Sequence, residues 1–323
     1  MTPVQFENRY RPEWEELESL LAALRGNRKT KAPIQGERVA ALYRRTCEQL
    51  ALSRARAYPA YIVDRLEHMT SEAHQAIYRQ RDFGWRRLQR LVAVEFPRAV
   101  RAHAAYVWVA TAVFLLPTLI LGLLVYLRPD LILSVVDAQT ASEFERMYSD
   151  SEEAIGRRRD ADTDWTMFGY YIRHNIGLAF QCFASGLLAG IGSLFFLAYN
   201  GALFGALAGY LTHRGCGETF YSFVVTHAAF ELTAIVLAGA AGLRLGHSLL
   251  APGRLTRRQA LVVAAQESVV IIYGVTTLLL IAAAVEAFWS SARWIPLPAK
   301  YSVAALCWAS VLAYLALQGR RAS

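Results

Sequence analysis

Apolar residues follow two patterns along this chain, and the pattern changes near residue 103. Over the first hundred positions they recur every three or four residues on single stripes, and beyond that they fuse into long uncharged runs. Trp14, Leu17, Leu21 and Leu24 follow Pro12 at helical spacing, with Gly26 as a stop, which predicts a helix beginning after the proline. Leu42, Thr46 and Leu50, flanked by Arg38, Arg44, Arg45, Arg54 and Arg56, predict a second helix. Pro59 opens a third, with Ile62, Leu66, Met69 and Ala73 on one face. A fourth, from Asp82, sets Leu88, Leu91, Val92 and Phe96 against Arg86, Arg87 and Arg90, and Pro97 is expected to kink or restart it. These arginines, with Arg98 and Arg101, suit the headgroup region beside a membrane span, and they equally suit the outer face of a small bundle.

Residues 104–127 contain no charge, and 24 residues at about 1.5 Å each cross ~30 Å of hydrocarbon. Residues 176–211 are uncharged for 36 positions, too long for one span and short for two ordinary ones, so they are expected to cross twice or to dip in and return. Further apolar runs cover 223–246, 268–288 and 301–317. Between the first two runs, residues 128–175 carry 10 acids against 6 arginines. Ser142 and Glu145 there have the Ser-x-x-Glu spacing of a helix start. The expected fold is all-α: a polytopic helical membrane domain over 104–323 behind a cytoplasmic helical domain over 1–103.

Composition agrees with this division. The chain has 323 residues, 55% hydrophobic and 19% charged, with a mean hydropathy of +0.25, which excludes disorder and is too apolar for an ordinary soluble enzyme. Residues 1–103 hold 19 of the 34 Lys and Arg and 12 of the 26 Asp and Glu, a net +7 of the overall +8. The basic balance therefore speaks for orientation, with both termini cytoplasmic and the acidic 128–175 segment external in a bacterial inner membrane, and not for nucleic acid. The first thirty residues lack a cleavable signal peptide pattern, and the four cysteines share no CxxC spacing. No phosphate-binding glycine loop and no GxSxG elbow occur. No cofactor is expected, and no metal site is assigned.

Helices in lipid approach closely where side chains are small. Gly186 and Gly190, Gly201, Gly205 and Gly209, and Gly242 and Gly246 recur at four-residue spacing, so each set marks one helix face, either a static seam within the chain or a dimer interface. Asn200 beside Gly201 is the expected place for a broken helix. His227 and Glu231 share one face inside an apolar run, and Glu286, Asn200 and Asn175 complete the expected intramembrane polar set. Three readings of this polar set stand together: a His–Glu hydrogen bond that locks packing, a proton or cation site of a transporter, or part of a metal-dependent hydrolytic site. Glu267 reads as the first-turn acid of a helix.

Several stretches carry a resemblance: 167–177 (MFGYYIRHNIG), the glycines of 186–192, 199–205 (YNGALFG), 226–235 (THAAFELTAI), 238–246 (AGAAGLRLG), 286–290 (EAFWS) and Phe96-Pro97-Arg98. Over about residues 80–320 the chain resembles the stage II sporulation protein M family, in the form found outside spore formers. His174 departs from it, standing where a second Asn is expected. The resemblance implies a membrane component that recruits cell-envelope enzymes and is not itself the hydrolase. It also implies a link to an AAA+ ATPase system in non-sporulating bacteria. The expected function is thus a non-enzymatic, homo-oligomeric scaffold or assembly protein, with membrane lipid, a second copy and other envelope proteins as partners.

Overall fold

The computed structural model describes residues 1–26, 33–78, 85–149, 161–292 and 294–320, and among these all regular structure is helical. The chain divides into two compact units, Met1–Leu88 and Gln89–Ser323.

The first unit is built on α1 (Pro3–Gly26), α2 (Pro33–Ala55) and α3 (Ala60–Tyr78). Its core is the set that the periodicity selects, with Trp14, Leu17, Leu42, Ile62, Leu66 and Met69 almost fully buried. Phe6 joins them, because α1 starts ahead of Pro12 and runs through it. The missing N–H removes one helical hydrogen bond without ending the helix, since burial of Phe6 and Trp14 on one face holds both halves. Trp14 Nε1 donates to Gln49 Oε1 at 2.6 Å and Gln49 Nε2 to Glu13 Oε2 at 3.0 Å, so the buried indole is satisfied across helices. Around the core, Arg38 grips Glu16 with two bonds of 2.7 and 2.6 Å, and Arg45–Glu13, Arg65–Glu18 and Arg54–Glu67 continue the cross-helix pairing. Asp82 lies outside the described residues, which resume with the short helix α4 (Trp85–Arg90).

In the second unit, a π-turn (Leu91–Glu95) precedes α5 (Phe96–Ala102), as Pro97 leads one to expect. Then come α6 (Ala104–Leu127), α7 (Ala138–Tyr148), α8 (Ala161–Ala184), α9 (Ile191–His213), α10 (Gly217–Leu250), α11 (Arg257–Ala284) and α12 (Leu297–Leu317). Among the described residues, five helices are long and apolar enough to cross a membrane: Ala104–Leu127, Ile191–His213, Gly217–Leu250, Arg257–Ser290 and Leu297–Leu317. The protein is therefore a polytopic membrane protein. α10 is central and touches α6, α8, α9, α11 and α12.

Four expectations are corrected here. The interruption in 176–211 falls at Ala184–Gly190, where Ala189 and Gly190 take positive φ of 52° and 85°, and α9 runs unbroken through Asn200-Gly201. Asn200 solves its burial locally, donating to the Phe196 carbonyl at 2.7 Å. The first leg of the hairpin is α8, which begins in the polar segment and reaches the turn only at Ala184. α7 starts at Ala138, capped by Asp137, which accepts from the Thr140 N–H at 2.8 Å, so the Ser142 pattern lies inside a helix. Glu267 lies well inside α11, whose start is a Thr256–Gln259 capping box, and it accepts from Arg244 at 2.8 Å.

Side-chain contacts sort the helix ends into two levels. Tyr106 bonds His247, Arg244 pairs with Glu267, and Arg101 reaches the carbonyls of Leu315 and Gln318 at one level. His213 donates to the Tyr126 carbonyl, and Arg214 pairs with Glu145, at the other. α8 and α9 run between the levels as an antiparallel hairpin. Tyr171 of α8 packs on Ala283 and Ala287, while Gly186 at the turn meets Gly242.

Glycine makes these seams. A Cβ at Gly201, Gly205 or Gly209 would overlap the α6 backbone at Phe114, Thr118 or Gly122. One at Gly242 would overlap Ser193 Oγ and the carbonyls of Cys182 and Phe183, and one at Gly246 the backbone of Gly190. Without a hydrophobic drive between helices in lipid, this closeness supplies the dispersion and Ser193 Oγ–H···O=C Cys182 bond (2.6 Å) that hold them together.

Gly242→Ala and Gly246→Ala are each expected to cost about 1–3 kcal/mol through overpacking against carbonyls that cannot move. Gly177→Ala, with nothing within 4 Å of the added methyl, should be neutral or slightly stabilising. Thermal unfolding of the detergent-solubilised protein tests this, and equal midpoints for all three would contradict the seam.

Candidate functional site

Where α10, α11 and α12 meet at the level of α7, the bundle encloses its most polar interior. The i, i+4 spacing on α10 sets His227 and Glu231 on one face, which the apolar neighbours turn inward. The end of α11 widens into a π-turn (Val285–Ser290), which carries Glu286 and Ser290. Such turns insert one residue into the helical register and re-aim the side chains around it. One ligand atom from each of His227, Glu231 and Glu286 lies within 4.8 Å of the others. His227 is 4% and Glu286 8% exposed, while the Glu231 side chain retains 17%.

The imidazole is anchored from behind. His227 Nδ1 and Ser290 Oγ are 3.0 Å apart, and the Phe223 ring packs on the imidazole at 5.3 Å between centroids. Nε2 faces Glu231 Oε2 at 3.9 Å, beyond hydrogen-bond range, so the pair is not the direct His–Glu lock that the spacing allowed. Lys300, buried in the first turn of α12, donates from Nζ to the Ser290 carbonyl at 2.9 Å, and Ser291 Oγ donates to Ala287 O at 2.6 Å. These bonds place side-chain donors on two backbone carbonyls of the π-turn.

α7 closes this level. Tyr148 packs on Phe220 and Phe223 at 5.2 and 6.0 Å. Burial pushes its hydroxyl above the ordinary phenol range, and the charges of Glu286, Tyr171 and Glu231 add to the rise. α7 is tied down by Glu145, which accepts from Arg214 Nη2 at 2.7 Å and from the Tyr210 hydroxyl at 3.0 Å. The Arg214 guanidinium holds the Glu145 carboxyl below its ordinary range, against a partial desolvation.

The other residues singled out in the sequence lie elsewhere or do other work. Asn175 is buried on α8 at 1% exposure, and its Nδ2 has no hydrogen-bond partner among the described residues. Asn200 bonds within its own helix. His174 stacks on Tyr170 at 5.7 Å. Arg98 donates to Gly319 O at 2.8 Å and Arg101 to Leu315 O and Gln318 O at 2.6 and 2.8 Å, so their fork geometry caps the C-terminus of α12, favoured by its dipole. Arg87 and Arg90 are exposed, Arg90 facing Glu95 at 3.2 Å, and the Arg86 side chain lies outside the described residues. Ser290, Lys300 and Tyr148 were not foreseen. A serine four residues after Glu286 on the same face was a readable signal for the first, whereas the other two meet the centre only through tertiary contacts.

Because Glu145 ionises at lower pH when folded than when unfolded, its stabilisation of α7 is complete above the ordinary carboxylate pKa and is lost as pH falls through the depressed folded value. Hydrogen exchange over 138–148 should therefore accelerate in that acid window, and Glu145→Gln should show the faster exchange already at pH 7. Exchange that is identical in both proteins at pH 7 would mean that the ion pair does not hold the helix.

Comparison with known proteins finds two family models that match the chain. A family model described as a domain of unknown function (DUF8413) matches residues 4–79, within the first unit. No curated protein and no solved structure matches the chain. A second family model, described as stage II sporulation protein M, matches residues 104–291, from the start of α6 through the π-turn that carries Glu286 and Ser290. The chain belongs to the stage II sporulation protein M family.

Proposed function

We propose that the protein is an assembly platform of the bacterial inner membrane, with both termini cytoplasmic and the helical first unit acting as a docking module for cell-envelope proteins. One observation carries this reading: the first unit is a closed three-helix bundle with its own core and a surface laced with Arg–Glu pairs, matched as a domain separate from the membrane bundle. The net +7 over residues 1–103 supports its cytoplasmic side. A polar notch of about 360 Å³ on this unit, lined by Tyr10, Glu13, Arg45, Glu48, Gln49 and Leu52, offers a side-chain-sized recess with both charges present. An AAA+ ATPase system, implied by the family resemblance, is one candidate partner.

Self-association is part of the proposal, but not on the glycine faces. Gly201, Gly205, Gly209, Gly242 and Gly246 press on other helices of the same chain. A dimer would have to use outward faces such as that of α6, where Leu116, Leu119 and Leu123 are 58 to 66% exposed. Ion-coupled transport and metal-dependent hydrolysis draw only on the His227 centre, so they stand or fall separately from the platform.

The test places a photo-crosslinking residue at Glu48 or Leu119 in the full-length protein in its native membrane. The expected result is a discrete protein adduct at Glu48 that Arg45→Glu removes, with lipid or self adducts at Leu119. Absence of any protein adduct at Glu48, with normal expression and membrane insertion, would overturn the docking role.

A further inference from the structure

We infer that His227, Glu231 and Glu286 form a binding site for one divalent transition-metal ion of the zinc class, set between α10 and the π-turn of α11. The inference rests on observations independent of the docking module.

The donor set is the first. One imidazole nitrogen and two carboxylates, each offering an atom within 4.8 Å of the others, converge from two different helices. Three N and O ligands with a remaining open position are the composition of catalytic zinc sites, and borderline N/O donors suit Zn, Co, Ni, Mn or Fe in the divalent state. Tetrahedral ligation at ~2.05 Å sets neighbouring donor atoms about 3.4 Å apart. His227 Nε2 and Glu231 Oε2 are already at 3.9 Å, so closure of about half an ångström, within reach of a glutamate torsion, would bring them to ligation distance.

The anchoring of His227 is the second. Its Nδ1 is engaged by Ser290 at 3.0 Å, while Nε2 is turned to the carboxylate side without making a hydrogen bond there. Metal-ligating histidines have this arrangement, in which a fixed partner on one nitrogen orients the ring and leaves the other nitrogen's lone pair for the metal. Ser290 belongs to the same π-turn as Glu286, so one irregular segment supplies both a ligand and the residue that positions another. A regular helix would not need this widening, and π-turns concentrate at functional sites.

Charge is the third. Two carboxylates this close repel strongly in a low-dielectric interior, and a carboxylate in a membrane bundle must be paired, protonated or coordinated. A divalent cation neutralises both at once. The Lys300 ammonium donates to the carbonyl of Ser290, the residue behind the imidazole, at 2.9 Å.

The experiment uses untagged full-length protein in detergent, assayed for metal as purified, then stripped with chelator and titrated with Co²⁺ and Zn²⁺. The expected result is about one ion per chain. X-ray absorption of the zinc-loaded wild type should show one nitrogen and two or more oxygens at roughly 2.0–2.2 Å. His227→Ala and Glu286→Gln should each weaken Co²⁺ binding by more than about 100-fold, and Ser290→Ala, which removes only the positioning contact, by about 10–100-fold. Midpoints in chelator that match the wild type confirm that the variants fold. If a variant fails to fold, the wild-type absorption spectrum and stoichiometry decide alone. Less than a tenth of an ion per chain after zinc loading, a zinc shell without nitrogen or containing sulfur, or Co²⁺ affinity unchanged in folded His227→Ala and Glu286→Gln would overturn the site.

Discussion

A charged or polar group inside hydrocarbon cannot be left to solvent, and much of the membrane bundle follows from how it meets that constraint. Glu231, Glu286, His227 and Lys300 are drawn to one level of the bundle, where α10, the π-turn after α11 and the start of α12 shield them. Around them the backbone departs from regular geometry in the π-turn of 285–290, and buried side chains such as Lys300 and Ser291 occupy its carbonyls. At the opposite level, Arg101 and Arg98 do the same for the carbonyls that end α12. Irregular backbone and charged side chains are thus coupled: each makes the other tolerable.

The packing between these levels obeys a different rule. Lipid and leucine are equally apolar, so burying leucine between helices gains little, and the helices are held by close approach instead. Glycine permits that approach on α9 against α6 and on α10 against the 185–190 turn. The result is a bundle whose small-residue faces are internally consumed and whose outer faces, above all on α6, are broad and apolar. α7, whose Tyr148 joins the aromatic cluster of Phe220 and Phe223, is held by Glu145, which accepts from Arg214 and from the Tyr210 hydroxyl. A half-exposed ion pair of that kind contributes about 0–1 kcal/mol.

The first unit is stabilised in the ordinary way of soluble bundles, by burial of Trp14, Phe6 and the leucines with ion pairs arranged around them. Membership of the stage II sporulation protein M family belongs to the second unit, with the match ending at the π-turn. The two units thus carry separate proposals: a surface for proteins, and an interior for a metal ion.

The sequence by itself determined what depends on periodicity and on the cost of charge in oil: the all-helical class, the membrane runs, the amphipathic stripes of α1 to α3, and the pairing of His227 with Glu231 at one helical turn. These are local quantities, fixed by spacing within a segment. Helix starts were misread where a local signature competed with packing, as at Pro12, Ser142 and Glu267, because a buried face extends a helix past a signal that would otherwise begin it. Only the tertiary structure decided the rest. It brought Glu286 to within 4.8 Å of the α10 pair, put Ser290 behind the imidazole, moved the chain reversal from Asn200 to Gly190, and turned Arg98 and Arg101 from headgroup ligands into helix caps. Each of these joins residues far apart in the chain, whose distance is set by which helices touch, and no pattern within one segment encodes that.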